Sequence, residues 1–402
     1  MITALSWKNI WRSKRRSFVV MGAIILGVWA LIFMVAFYNS FGEAFIRSAV
    51  QYEHSHLQVQ TESYIMNHEI SDHLEDADMI INKIEEQASV AAYSDRLIVG
   101  GMIASPKNSL GVNAYGINPE LEESTTKLRS QLVDGTYFEK VKRNPMLISQ
   151  EMADKLKVKV RSKVVLTFQD IDLNITAASF RVEGIFDSKS PKINGSTVYV
   201  RQDDLARLSG VSEPHEIAIL LNESDQIETL QTQLQSMTSD KVRSYKEVAP
   251  EFNLMEESSA MTQQILTFII MLALLFGIVN TMLMAVLERT REIGMLKAIG
   301  MHRQQLFLMI MLETILLSIV SGPIGLGLGY GTIIWLGNRG LDMSAYADAL
   351  KQYGSEAIFY PTLDSSYYLY LMGVVVLTGV IGSIYPAFKA INLNPLEAIR
   401  KH

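Results

Sequence analysis

The chain contains no cysteine, so a disulfide framework and a thiol nucleophile are both excluded. It contains no G-x-x-x-x-G-K-[ST] phosphate loop, and the dipeptide Gly-Lys never occurs. These 402 residues therefore cannot hydrolyse ATP in the P-loop manner. Neither a G-x-S-x-G elbow nor an H-E-x-x-H helix is present, which leaves hydrolase chemistry without an obvious carrier. His54, His56, His68 and His73 lie near Glu53, Glu62 and Asp72, but none of their spacings is a zinc pattern. No metal site is expected.

Charge is also missing, and its absence is concentrated. Residues 18–38 carry none over 21 positions, 265–287 none over 23, and 367–385 none over 19. Residues 306–336 carry one charge, Glu313, over 31 positions. A bilayer core about 30 Å thick needs roughly 20 helical residues, so four transmembrane helices are expected. The third run is overlong and is expected to start outside the hydrocarbon and to tilt or bend at Gly322–Pro323. The apolar stretch near the N-terminus is too long for a cleaved signal peptide and no A-x-A-like site follows, so it reads as an uncleaved anchor.

Basic residues give the orientation. Lys8, Arg12, Lys14, Arg15 and Arg16 precede the first run; Arg289, Arg291, Lys297 and Arg303 lie in the 288–305 loop. Lys389, Arg400 and Lys401 occupy the 386–402 tail, whereas loop 337–366 is mainly acidic. Both termini and the 288–305 loop are expected to be cytoplasmic, with 39–264 and 337–366 periplasmic. The eight acids and fourteen bases outside 39–264, taken from the chain's 42 and 36, leave that region with a net charge near −12. Such a surface does not suit nucleic acid or anionic lipid.

Region 39–264 reads as a mixture of α and β. Alternation at His56–Gln60 predicts a half-buried strand, and 97–103, 111–115, 164–168, 180–186, 197–200 and 216–221 are rich in β-branched and aromatic residues. Segments 74–87, 149–156 and 225–236 read as helices. Turns are expected at Asp134-Gly135, Asn194-Gly195 and Asn118-Pro119. Two subdomains are expected, divided near 110–145. The fold class is thus an α-helical membrane protein with four transmembrane helices and a large α+β extracytoplasmic domain between the first and second.

Four features carry functional content. ERTREIGMLKAIG, 288–300, is a charged, helix-competent segment held between two spans. A short polar helix in that position can transmit force to a soluble partner; its charged residues solvate one side while Ile293, Leu296 and Ile299 offer an apolar face. Glu313 is an intramembrane carboxylate close to the interface, expected to cap or pair rather than relay protons. Gly325-x-x-x-Gly329 and Gly327-x-x-x-Gly331 permit close helix approach, within one chain or between two. Trp7, Lys8, Trp11, Arg12, Arg15 and Arg16 suit a helix along residues 1–17 lying in the membrane interface.

In combination, NIWRSKRRS, ERTREIGMLKAIG, the E-x₈-GPIGLGLG third span and YPAFKAINLNPLEAIR resemble the FtsX-like, or MacB-type, permeases of ABC transporters. PMLISQEMADKLKVKVRSKVVLTF is similar to the family's outer-domain segment, with Arg161-Ser162 where a Gly-Asp-like turn is usual. The resemblance implies a non-catalytic subunit that pairs with a second permease chain, as homo- or heterodimer, and docks two copies of an ABC ATPase. ATP and Mg would bind that ATPase, and no cofactor would bind this chain. It further implies a coupling helix at Arg289, Glu292, Gly294, Leu296, Lys297, Ala298 and Gly300. Four spans, the length, a separate ATPase and the HSHLQVQTESY opening are most similar to the LolC/LolE lipoprotein-releasing branch in the bacterial inner membrane. A MacB-like efflux permease with a periplasmic adaptor, or an FtsX-like regulator of a cell-wall hydrolase, stays open.

Overall fold

A computed structural model describes residues 2–12, 14–352, 354–355 and 357–392. Helix α1 (Ile2–Arg12) is followed by α2 (Lys14–Ala49) and a π-helical turn, Val50–His54. The next two hundred residues form a sheet domain. Its elements are β1 (Leu57–Gln60), α3 (Glu62–Asn67), α4 (Ala77–Glu85), β2 (Val90–Ala104), β3 (Ser109–Ile117), α5 (Pro119–Thr126), β4 (Leu132–Gly135), β5 (Pro145–Ser149), α6 (Gln150–Leu156), β6 (Lys163–Gln169) and β7 (Ile175–Phe186). They continue with α7 (Pro191–Ser196), β8 (Thr197–Arg201), α8 (Gln202–Ser209), β9 (Glu216–Leu221), α9 (Ile227–Gln235), β10 (Lys241–Ser244) and α10 (Tyr245–Val248). The chain then forms α11 (Glu251–Glu288), α12 (Thr290–Ala298), α13 (Arg303–Arg339), the short pair β11 (Leu341–Asp342) and β12 (Ile358–Phe359) flanking α14 (Ala347–Gln352), and α15 (Ser365–Ile391).

Two compact units result: 1–42, 256–342 and 358–402 form one, while 43–255 and 343–357 form the other. In the first, α2, α11, α13 and α15 are long and apolar enough to cross a membrane. Apolar content alone underestimates their length, because a helix continues past the hydrocarbon wherever propensity allows. The 38 residues of α11 begin 14 positions before its charge-free run and extend about 57 Å. Helix α13 runs unbroken through Gly322–Pro323. Its face of Thr314, Ser318, Ser321 and Gly322 is buried, and α15 supplies Met372, Val375 and Gly379. Small and hydroxylated residues let helix backbones approach where lipid gives no hydrophobic drive.

The sheet domain contains one ten-stranded sheet in the order β10-β1-β9-β2-β3-β8-β5-β7-β4, with β6 pairing β2 and β7. Two main cores lie on it. Leu57, Val59, Ile80, Ile84, Ile217, Ile219 and Leu230 form one; Leu97, Val99, Val112, Met146, Leu166, Phe180 and Val198 form another. The fifteen residues of β2 serve both, and the chain returns to the first core only at β9. The division therefore runs through β2 and the approach to β9, rather than near 110–145. A long strand shared by two cores leaves no compositional break for sequence to display.

Local expectations also shift. All four β1 residues are buried, because β1 is covered on both sides by β10 and β9 and by packing on both faces. Asn118-Pro119 opens α5, with Asn118 Oδ1 accepting from Glu120 N and Pro at the first turn, a helix start rather than a turn. Asn194-Gly195 lies inside α7. Asp134-Gly135 lies at a bulge in edge strand β4, with Gly135 at φ +91°. Of the three expected turns, only Asp134-Gly135 marks a backbone irregularity, because the use of Gly and Asn depends on neighbours in space.

Candidate functional site

Helix α12 is short because its ends are set by special backbone: Arg289 precedes it at φ −99°, ψ 18°, and Gly300 follows at φ +102°. Its side chains tie three other helices together. The Arg289 guanidinium donates to Glu313 Oε1 of α13 at 3.3 Å and to the Asn9 carbonyl of α1 at 3.0 Å. Arg12 of α1 binds Glu292 with two bonds of 2.6 and 3.4 Å. Lys297 Nζ donates to the Ile391 carbonyl of α15 at 2.6 Å, and burial followed by the nearby Arg303 lowers its pKa. Ser6 Oγ donates to the Met309 carbonyl at 3.0 Å, docking α1 on α13.

Burial orders these contacts energetically. The Glu313 side chain is 5% exposed and that of Arg289 16%, so their pair is shielded from solvent and salt. Arg12 and Glu292 are 66% and 41% exposed, and such a pair contributes about 0–1 kcal/mol. A cavity of about 280 Å³ lies beside this junction, lined by Asn9, Met282, Arg289, Leu296, Ile310 and Glu313 among others. The arrangement holds charge in place and has neither nucleophile nor metal cluster among the described residues. Its physical capacity is to link α12 to α1, α13 and α15.

The expected apolar face of α12 is corrected by the structure. Ile293 and Gly294 are buried and Leu296 packs against the helical unit's own core, so neither Ile293 nor Leu296 is offered outward. Arg289, Glu292 and Lys297 point to the same unit through the bonds above. Ala298, Ile299 and Gly300 are exposed, as are Arg291 and Met295, which sequence reading passed over. Ile299 is 79% exposed and Met295 53%. The outward stripe is thus Arg291, Met295, Ala298 and Ile299, at three- and four-residue spacing. Periodicity placed Ile293, Leu296 and Ile299 on one apolar face and could not say which part of it the bundle would cover.

The small-residue rows of α13 separate similarly. A side chain on Gly325 would meet Ile25 and Val28 of α2, and one on Gly329 would meet Ile32. Gly327 and Gly331 face open space. On α1, Trp7, Lys8, Trp11 and Arg12 are exposed, as is Arg15 just beyond; the side chain of Arg16 lies outside the described ones. Trp7 meets Trp11 edge-on at 5.9 Å, and Trp11 meets Phe18 at 6.5 Å, while Ile10 is buried on the opposite side.

Sequence reading missed one buried charge network in the sheet domain. Arg96 of β2, 3% exposed, donates to both Glu122 oxygens of α5 at 2.8 and 2.9 Å and to Glu216 of β9 at 2.8 Å. Burial disfavours the cation, but Glu122 and Glu216 together raise its pKa well above the ordinary value. Its only sequence signal is an arginine interrupting a strand, in YSDRLIV.

Four membrane-length helices, an α/β domain inserted after the first, and a charged helix between the second and third define a multi-pass membrane protein of the permease class. Two family models match: an FtsX-like permease C-terminal region over residues 265–395, and a MacB-like periplasmic core domain over 17–237. The chain belongs to the FtsX/MacB-type family of ABC transporter permeases. It is similar to the macrolide export ATP-binding/permease protein MacB of Bdellovibrio bacteriovorus, 28% identical over 57% of this chain and 35% of that protein. The ABC transporter permeases YknZ and YvrN of Bacillus subtilis are 35% and 24% identical, over 31% and 57% of this chain and 27% and 56% of theirs. The first of these matches thus span about a third of the relatives' length. Among solved structures, the extracellular domain of YknZ matches with 16% identity and a TM-score of 0.34, over 47% of this chain and 98% of that one. The periplasmic region of MacB from Actinobacillus actinomycetemcomitans matches with 11% identity and a TM-score of 0.37, over 52% and 97%.

Proposed function

We propose that this chain is the non-catalytic permease of a complex in which two ABC ATPases, binding ATP and Mg, act on a pair of permease chains in the bacterial inner membrane. Both termini and α12 would lie in the cytoplasm and the sheet domain in the periplasm. The observation that carries the reading is the linkage of α12 to α1, α13 and α15 through Asn9, Arg12, Glu313 and Ile391. An ATPase gripping the exposed stripe would move those helices as it closes, and the membrane helices would pass the motion outward. The cargo reading that fits the four-span layout and the HSHLQVQTESY opening is extraction of lipoproteins for transfer to a periplasmic carrier. A second reading, export with a periplasmic adaptor, is favoured by the likeness to MacB proteins named for macrolide export.

The coupling surface is tested by Met295→Asp and Ile299→Asp in the membrane-inserted chain. Loss of ATPase co-purification with unchanged insertion is expected. Retained ATPase binding in the double variant would reject α12 as the docking element. Depleting the chain separates the cargo readings: lipoproteins retained in the inner membrane support extraction, whereas normal sorting with increased drug sensitivity supports export.

A further inference from the structure

The net charge near −12 of residues 39–264 conceals a local reversal. Its stretch 140–163 carries eight bases and two acids, a net +6, so the rest of the region carries −18. A cationic patch set in an acidic surface draws anions to one place. The fold gathers the reversal further. Arg181 of β7 lies directly opposite Lys163 of β6. Its N–H donates to the Asn144 carbonyl at 3.0 Å, and beside it Arg161 N donates to the Val182 carbonyl. Segments 140–144 and 159–163 therefore converge on Arg181. Like charges directly opposite each other destabilise a sheet, and a bound anion relieves that cost.

A cleft of about 640 Å³ opens at this point, lined by Lys140, Arg161 and Arg181. Lys142, Arg143, Lys159 and Lys163 adjoin these residues in sequence or across the strand pair. All seven are exposed, and their side chains make no hydrogen bond or ion pair among the described residues. The acids of the lining are Asp134 and Glu183. Glu183 is 3% exposed and is spent on its own domain, accepting from Thr136 Oγ1 at 3.2 Å, Lys140 N at 2.6 Å and Val141 N at 3.2 Å. These bonds fasten the turn at 136–141 to β7 and set Lys140 beside the cleft. Asp134 is exposed and makes no ion pair with the cations. Seven cations thus stand against two carboxylates, an excess of five positive charges.

We propose that this cleft binds a phosphomonoester or diphosphate group, with the Arg161 and Arg181 guanidinia donating to its oxygens and Lys140 adding a third cation. The excess selects a compact group of several negative charges, as phosphates are and a single carboxylate is not. Guanidinium forks match pairs of phosphate oxygens. The lining is unlike a macromolecular interface: its apolar residues are Val141, Val160 and Val182, and none is aromatic. Protein interfaces centre on aromatic anchors and are poor in lysine, and single-stranded nucleic acid needs rings on which to stack. The proposal does not depend on the transport reading, because the cleft lies within the sheet domain and is tested without an ATPase.

The test uses the full chain in phosphatidylcholine nanodiscs at low ionic strength, with titration calorimetry against inorganic pyrophosphate. Saturable binding is expected, together with a rise in the unfolding temperature of the sheet domain. Arg161→Gln and Arg181→Gln should each weaken binding about tenfold, as expected for a hydrogen bond to a charged group. Arg181→Gln also removes the like-charge opposition to Lys163, so the unfolding temperature of the ligand-free chain should be unchanged or raised. Weaker binding in a variant at least as stable as the parent excludes misfolding as its cause. Lys155→Gln is the control: Lys155 lies in the same basic stretch but is paired with Glu151 at 2.6 Å, and its loss should leave binding unchanged. Flotation with vesicles of phosphatidylcholine and phosphatidic acid in equal parts separates the sources. Co-flotation abolished by pyrophosphate assigns a lipid headgroup, and its absence assigns a soluble phosphate. Lack of saturable pyrophosphate binding, an equal loss in Lys155→Gln, or tighter binding of a hexaglutamate peptide than of pyrophosphate would overturn the proposal.

Discussion

The Arg289–Glu313 pair makes an unequal demand on its two partners, and a mutant cycle reads it. Replacing Arg289 with Met removes the counter-charge of a carboxylate that is 5% exposed, together with the bond to the Asn9 carbonyl. Breaking a buried pair from one side costs roughly 3–5 kcal/mol. Glu313→Gln is milder: the amide still accepts from Arg289, which keeps the Asn9 bond and some solvent contact, so a cost of about 1–2 kcal/mol is expected. Replacing both, as Arg289→Met with Glu313→Gln, removes both charges and should return to within about 2 kcal/mol of the parent. The double variant is thus expected to be more stable than Arg289→Met alone, with a coupling energy of at least about 1.5 kcal/mol. Denaturant titration in mixed micelles, followed by tryptophan fluorescence from Trp7 and Trp11 on the adjoining helix, measures each step. Strict additivity, or equal costs for Arg289→Met and Glu313→Gln, would refute the assignment of this pair as a desolvated link.

Three further outcomes follow from particular contacts. His215 is buried, with Nδ1 accepting from Ile98 N at 3.1 Å and Nε2 facing the Ile70 carbonyl at 3.0 Å, and burial lowers its pKa from 6.5. Because the unfolded chain then takes up the proton first, stability of the sheet domain should fall as pH drops below 6.5, until the folded-state pKa is reached. His215→Gln should remove up to about 1.4 kcal/mol per pH unit of that slope, measured by unfolding between pH 7 and 5. Arg161 occupies φ +72° while its N–H bonds the Val182 carbonyl at 2.7 Å. Arg161→Gly should relieve about 1–2 kcal/mol of backbone cost and lose part of it to chain entropy, a small net rise in melting temperature. Gly329→Leu, which would drive a side chain into Ile32, should cost about 1–3 kcal/mol of stability in the same micelle titration. Gly327→Leu, facing open space, should leave folding unchanged; an equal loss would place the two rows wrongly.

The helical unit was legible because its signal is local. Long charge-free runs are required by hydrocarbon wherever the helices pack, so the existence of four spans follows from composition alone. The strands were legible for a related reason: β-branched alternation at 111–115 and 216–221 marks a strand whichever partner it has. Strand order was not, since the sheet places β9 between β1 and β2, and β8 beside β3 and β5, by long-range pairing that leaves no periodic trace. The Arg96 network was hidden for the same reason, because Glu122 and Glu216 lie 26 and 120 residues away.

On α12 the sequence by itself determined a short amphipathic helix between two spans and the apolar character of Ile293, Leu296 and Ile299. Only the tertiary structure decided that Ile293 and Leu296 turn inward while Met295 and Ile299 face out, and that Gly325 and Gly329, rather than Gly327 and Gly331, meet α2. The physical reason is common to both. Helical spacing states which residues share a face, but which face is covered depends on the shape and position of a neighbouring helix far away in the chain.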